Sequence, residues 1–342
     1  MPSPLRLRIE RAALIANWRT LADMSGAAAC GAAVKADGYG LGAREVVRSL
    51  GEAGCRDFFV ATWAEALDLA DLGLPVSVLH GVRAEDIGIT RPANLRPVLN
   101  TREQVLRWRN AGGGACDVMV DTGMNRLGVS AAEVAEGLLD GLAIETLMSH
   151  LACADEDVPM NARQCDAFAA LAGRTSARRL SLANSAGIAL GPDYRFDLTR
   201  PGISLYGGVQ RAAFEGKIRQ IVTPEAQVLQ RRRVAAGETV GYSATFVAET
   251  DTQVAILNIG YADGYLRCFS GKGGARAGSA ALPVLGRVSM DLLAVGADAA
   301  PQLREGDWVS LAYDLPATAA LSGLSQYELL TGLGRRFDRI WD

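Results

Sequence analysis

A parallel (β/α)8 TIM-type barrel followed by a smaller, mostly β domain is the fold this sequence predicts, and three observations predict it. Between about residues 31 and 208, eight short apolar runs alternate with longer segments that carry charges at helical spacing. No GxGxxG or GxxxxGK turn follows the first run, which disfavours an open nucleotide-binding sheet. Beyond about Gly216 the helical segments give way to strand-like runs parted by glycine turns. A chain of 342 residues exceeds the size at which one core stops growing, so two domains, 1–217 and 218–342, are expected.

The barrel strands are expected at Gly31 to Lys35, Asp57 to Ala61, Val76 to His80, Arg96 to Leu99, Ala115 to Asp121, Ile144 to His150, Leu180 to Ala183 and Ile203 to Tyr206. Helices are expected at Ala43 to Ala53, Trp63 to Leu72, Thr101 to Ala111, Ala131 to Asp140 and Met160 to Gly173. In the second domain Val222 to Val234, Glu238 to Tyr242, Thr252 to Ile259, Ala281 to Val288 and Trp308 to Leu311 read as strands, with little helix before Ser325. Gly271 to Gly278, with four glycines, reads as a flexible loop, and Arg231-Arg232-Arg233 as a solvated strand face. The first strand, near Leu5 to Ile9, is a candidate to cross over to the β domain.

Composition narrows the function classes. Hydrophobic residues make up 49% and charged residues 21%, as in ordinary globular proteins, and the net charge of -3 provides no field that attracts nucleic acid or an anionic membrane. The six cysteines are scattered without a CxxC pair, the usage of reduced cytoplasmic thiols, and no metal-ligand spacing is seen. No apolar run reaches the ~18 residues of a membrane span, and no signal-peptide pattern opens the chain, so a cytoplasmic location is expected.

Chemistry concentrates at strand ends. Lys35, Asp121, His150 and Asn184 each end or follow an apolar run, where barrel enzymes build their sites. Lys35 sits where an apolar run meets a glycine-rich turn, Ala36-Asp37-Gly38-Tyr39-Gly40, in which the backbone can approach something bulky. Low-dielectric walls disfavour an ammonium and leave a neutral amine able to attack a carbonyl. Read alone, Lys35 is a lysine snorkelling to water, and Tyr242 an ordinary aromatic on a strand.

The segment Ala33-Val34-Lys35-Ala36-Asp37-Gly38-Tyr39-Gly40 resembles the cofactor-lysine signature of the alanine racemases, fold-type III enzymes that use pyridoxal phosphate. The resemblance continues through Val120 to Gly128, Ser149-His150, Asn184-Ser185-Ala186, Arg200-Pro201-Gly202-Ile203, Gly241 to Phe246, Ile259 to Gly264 and Ser289-Met290-Asp291. It implies that Lys35 carries pyridoxal 5'-phosphate and acts as the base on one face of the substrate's α-carbon. Tyr242 would be the base on the other face, supplied by the partner in a head-to-tail homodimer. A phenol serves as a base only beside groups that stabilise its anion, and His150 and Arg200 are candidates for that relay.

The same resemblance implies phosphate contacts from Tyr39, Ser185, Tyr327 and the backbone amides of Gly202 and Ile203. Ser185 also suits a helix N-cap, and Tyr327 lies in a helical stretch where a core role is open. Arg200 would face the pyridine nitrogen, donating a hydrogen bond without a full proton, with His150 buttressing the ring. Arg126 and, donated across the dimer, the Met290 amide would hold the substrate carboxylate, while Tyr261 and Met290 narrow the entry to suit alanine. One departure stands out: many members carry a carbamylated lysine where this chain has Met119, so Arg126 lacks that support. The expected activity is racemisation of alanine, supplying D-alanine for peptidoglycan or recovering L-alanine. The alternatives are a racemase of serine or of broad specificity, a decarboxylase of the same fold type, or a non-catalytic cofactor carrier.

Overall fold

The computed structural model of the chain describes residues 2–342. The chain parts into two compact units, Ala13–Arg219 and the residues up to Ala12 together with Gln220–Asp342. Alternation along the strand Leu5–Ile9 explains the second unit's make-up, because Leu5, Leu7 and Ile9 are all buried in it. That strand runs antiparallel to Val222–Val234 and parallel to Asp338–Trp341. The barrel unit therefore begins at Ala13 rather than at the first residue, and its end falls at Arg219 rather than at 217.

Seven parallel strands run in chain order through the barrel unit: Ala32–Ala33, Phe58–Val60, Val76–Val78, Leu95–Leu99, Ala115–Met119, Ala143–Met148 and Arg179–Ser181. Leu198–Thr199 then pairs in parallel with Ala29–Cys30, next to the first of them. The pairing with the first strand continues as the Ala33 N–H donates to Pro201 C=O at 2.8 Å, and on the other side the Arg200 N–H donates to Ala183 C=O at 2.9 Å. These bonds curl the sheet back on itself in the TIM-like manner. The last strand is thus Leu198–Thr199, not the expected run Ile203 to Tyr206. That run is fully buried, which gives it a strand-like look, but the chain turns at Pro201-Gly202 and Ile203–Tyr206 forms a 3-10 turn.

The expected helices form at Ala43–Ala53, Trp63–Leu69, Arg102–Asn110, Ala131–Ala135 and Pro159–Ala169. They cover the sheet's outer face, where Val118, Val120, Ile144 and Leu147 pack with Val105, Trp108, Val134 and Phe168. Side chains of the opposite parity meet a polar layer instead. Asp117 accepts from Ser77 Oγ at 2.6 Å and Arg96 Nε at 3.0 Å, and Arg179 grips Asp57 through bonds of 3.0 and 2.7 Å. Burial pushes the Asp117 carboxyl up in pKa against the pull of Arg96.

In the second unit the strand Val222–Val234 is the spine, pairing with Leu5–Ile9 and Trp308–Leu311, and with Thr252–Leu257 beyond a bulge at Val228/Gln230. The stretch expected as a loop is half of a hairpin, with Gly274–Ala277 paired to Ala280–Pro283. A helix, Leu315–Ser322, precedes Ser325 where little was expected; Asp314 caps it and Pro316 opens its first turn. Arg232 and Arg233 are solvated, whereas Arg231 donates to the Pro301 and Leu303 carbonyls at 2.9 and 2.8 Å.

Candidate active site

Lys35 follows the first barrel strand, and the chain then makes one left-handed turn, with φ of 53, 54, 62, 57 and 86° from Ala36 to Gly40. An L-residue in that conformation costs roughly 1–2 kcal/mol, so neighbours must hold it. Glu65 does so with both oxygens: Oε1 accepts the Ala36 N–H at 2.7 Å, and Oε2 accepts the N–H groups of Ala61 at 2.7 Å and Thr62 at 3.1 Å. Asp37 accepts the Ala43 N–H at 2.8 Å, and the Tyr39 ring stacks on Tyr206 with centroids 4.6 Å apart. Gly38 is required within the turn, because a Cβ there would meet Ala43 at 3.1 Å in a backbone already at φ 62°. Sequence reasoning misses Glu65, although Thr62-x-x-Glu65 before an apolar helix is the signature of the capping box found here.

The Lys35 ammonium is held below its ordinary pKa, first by loss of solvent and then by the charge of Arg126, with Glu65 opposing. Its side chain stays accessible, so hydration is reduced without sealing the amine away. His150 is driven down to about 3, by burial foremost and then by Arg200, Arg126 and Lys35, and is a neutral imidazole near pH 7. Arg200 is buried and lowered to about 10 by its surroundings; its guanidinium donates to the Ser181 hydroxyl and the Ser149 carbonyl. Arg126 projects from the turn after Ala115–Met119 and is exposed, while Met119 is buried. Lys35, Arg126, His150 and Arg200 thus share one electropositive region at the strand ends, a setting for anions.

The His150 environment has a consequence for stability. Below about pH 6.5 the unfolded imidazole binds a proton that the folded one refuses until about pH 3, so the unfolded state gains protons and stability falls across that window. Urea melts at stepped pH are expected to show this slope, and His150→Gln to flatten it.

A cradle of small donors and acceptors lies beside this group. Asn184, not Ser185, caps the helix Ser185–Ile188, its Oδ1 accepting the Gly187 N–H at 2.9 Å. The Ser185 hydroxyl instead accepts the N–H groups of Gly202 at 2.9 Å and Ser204 at 3.3 Å. A Cβ on Gly202 would lie 2.2 Å from the Tyr39 phenol oxygen, so only glycine admits that ring. Ile203 is buried next to it, and Ser204 Oγ is buried without a hydrogen-bond partner. Clustered hydroxyls and amides with a polar oxygen left unsatisfied suit a phosphate.

The remaining predicted residues belong to the β-rich unit. Tyr261 and Met290 are brought together, the Tyr261 N–H donating to Ser289 C=O and the Ala262 N–H to Met290 C=O, each at 3.0 Å. Asp263 is buried beneath them, accepting from the Gly260 N–H at 3.0 Å and from Arg336 Nε at 2.6 Å, while Arg336 also donates to Asp291 at 2.8 Å. Tyr242 lies past its expected strand, which ends at Val240, on a turn where Ser243 and Ala244 have φ of 61 and 48°. Its ring is 65% exposed, far from the ordinary half-buried strand aromatic. Tyr327 is on the helix Gln326–Thr331 at 38% exposure, which rules out a core role within this unit.

A lysine of lowered pKa at a barrel strand end, two arginines, a neutral histidine and a phosphate-like cradle define a barrel enzyme that works through an amine on small anionic compounds. Comparison with known proteins narrows the class. Residues 9–210 match the family model for the alanine racemase N-terminal domain, and residues 221–341 that for the alanine racemase C-terminal domain. The alanine racemase of Acidiphilium cryptum is 42% identical over 350 residues, covering 98% of each chain. Solved structures agree: the alanine racemase of Bartonella henselae with covalently bound pyridoxal phosphate superposes with a TM-score of 0.91 at 34% identity over 100% of both chains. The biosynthetic alanine racemase of Pseudomonas aeruginosa gives 0.88 at 32% identity, again over 100% of both. The chain belongs to the alanine racemase family.

Proposed function

We propose that this chain is a pyridoxal-phosphate-dependent alanine racemase, interconverting L- and D-alanine with one base on each face of the α-carbon. The observation that carries the reading is the Lys35 amine, lowered in pKa, in the same unit as the Tyr39, Ser185 and Gly202 cradle, so that an aldehyde-reactive nitrogen and a phosphate-sized polar site occur together. Bound there, the cofactor supplies an electron sink that makes the α-proton removable. Tyr39, Ser185 and the amides of Gly202 and Ile203 hold the phosphate, joined by Tyr327. Arg200 would donate a hydrogen bond to the ring nitrogen, its guanidinium held by its bonds to the Ser181 hydroxyl and the Ser149 carbonyl. His150, neutral, packs at the same edge.

Arg126 and the Met290 amide of a second copy of the chain fix the substrate carboxylate, and Tyr261 with Met290 limits the side chain to a methyl. Lys35 moves the proton on one face and Tyr242, from a second copy of the chain, on the other. The exposed side chains of Tyr242, Val247, Met290 and Leu292, at 65, 52, 53 and 42%, support a homodimer whose sites are shared. Among the described residues no helix is long and apolar enough to cross a membrane, and we place D-alanine supply for peptidoglycan in the cytoplasm. Exchange of the α-proton in deuterated water, with alanine and serine side by side, tests the reading. Faster exchange with serine, or release of carbon dioxide, overturns it.

The cradle gives a separate expectation. Gly202→Ala forces the Tyr39 phenol aside, and overpacking of this kind weakens cofactor binding by about tenfold or more. Titration of the cofactor's absorbance against wild type measures the loss.

A further inference from the structure

We propose that Gln164 is a positioning residue for Arg126, its buried amide tying the loop that carries the arginine to the strand end that carries His150. The proposal rests on the reading of Arg126 as the partner of the substrate carboxylate. Gln164 stands on the helix Pro159–Ala169 and is fully buried. Nε2 donates to the His150 carbonyl at 3.0 Å and to Thr122 Oγ1 at 3.3 Å, and Oε1 accepts the Ala152 N–H at 2.8 Å. Both amide protons are thus committed, one to each segment of the site. The Thr122 hydroxyl also bonds Ser149 Oγ at 2.7 Å, and the Ser149 carbonyl accepts from Arg200. One side chain therefore joins the Arg126 loop to the segment that seats His150 and Arg200.

Arg126 has particular need of such a tie. Met119 offers a thioether in place of a charge, and the guanidinium is exposed. At the loop's base the Gly123 N–H donates to Asp121 Oδ1 at 2.8 Å, and the Asp121 N–H to Val129 C=O at 3.0 Å. The Thr122 hydroxyl links the loop to the packed barrel, through Gln164 on the helix and Ser149 at the strand end. An arginine that holds the carboxylate through ground state and transition state alike contributes mainly to KM. Loosening its loop should raise KM more than it lowers kcat.

The test uses the cofactor-loaded protein with Gln164→Leu, Thr122→Val and Thr122→Ser. KM for L-alanine is expected to rise about fivefold or more in the first two, with kcat within about threefold of wild type, and the inhibition constant of propionate to rise in step. Thr122→Ser, which keeps the hydroxyl, restores KM, and the Gln164→Leu/Thr122→Val pair is less than additive. Unchanged KM in both single variants, or a fall in kcat at constant KM, overturns the proposal. Should Gln164→Leu fail to fold, the Thr122→Val and Thr122→Ser comparison decides alone. Arg126→Leu separates the two failures: if it leaves propionate binding intact the assignment of Arg126 falls, whereas an Arg126 effect without a Gln164 or Thr122 effect overturns only the positioning role.

Discussion

Tyr242→Phe is expected to lower kcat for alanine racemisation by about 10²- to 10⁴-fold, the usual worth of a positioned acid/base group, while the cofactor absorbance of the holoenzyme stays unchanged. The expectation comes from what the residue does not do at home. Its ring is 65% exposed and contributes little to the β-rich unit's core, yet it sits on a turn whose next two residues, Ser243 and Ala244, hold left-handed φ of 61 and 48°. Such backbone costs of order 1–3 kcal/mol per residue and marks a segment shaped for something other than packing. Phenylalanine keeps the ring and removes only the oxygen, so stability and dimerisation should not move. A variant that turns over at the wild-type rate would reduce Tyr242 to a surface aromatic and leave the second face without its base.

Much of the fold was legible because long segments follow one period. Val222–Val234 and Trp308–Leu311 are strands over the residues expected, and Ala43–Ala53 is a helix over its own, since alternation or helical spacing persists through each. Short elements were not legible. Leu198–Thr199 is too brief to show a period, and the neighbouring run Ile203–Tyr206 looks like a strand only because it is buried on all sides. Gly274–Ala277 hides among glycines, and its identity depends on the partner Ala280–Pro283.

The site divides along the same line. Lys35 and its glycine-rich turn are adjacent in sequence, but the role of Lys35, like those of Arg126, Arg200 and Tyr242, is named by family resemblance. Their supports come from afar: Glu65 reaches Ala36 across 29 residues, Gln164 reaches Thr122 across 42, and Arg179 reaches Asp57 across 122. No spacing rule relates partners that only the closed sheet brings together. The polar layer of Asp57, Arg96, Asp117 and Arg179 is invisible for that reason, although Asp117's charge favours the protonated form of Arg200.

Lys35→Ala is expected to cut racemisation by at least about 10⁴-fold, because in the proposed mechanism one side chain carries both the cofactor attachment and one of the two proton transfers. Attachment can be mapped directly. The chain has three lysines, Lys35, Lys217 and Lys272, so borohydride treatment of the cofactor-loaded protein should label the Lys35 peptide and leave the other two bare. Label on either of those removes the basis of the reading. The amine's reactivity can be tested apart from turnover, since its charge feels two neighbours of opposite sign. Arg126 disfavours the ammonium, so Arg126→Leu raises the Lys35 pKa and moves its acylation by an amine-reactive ester, measured on cofactor-free protein, to higher pH. Glu65 favours the ammonium, so Glu65→Gln moves the same profile to lower pH. Burial remains in both variants as the larger cause, and each profile should therefore stay below that of an ordinary lysine. Shifts in one common direction would mean that the left-handed turn itself had rearranged, and with it the placement of the amine that the Glu65 bond to Ala36 secures.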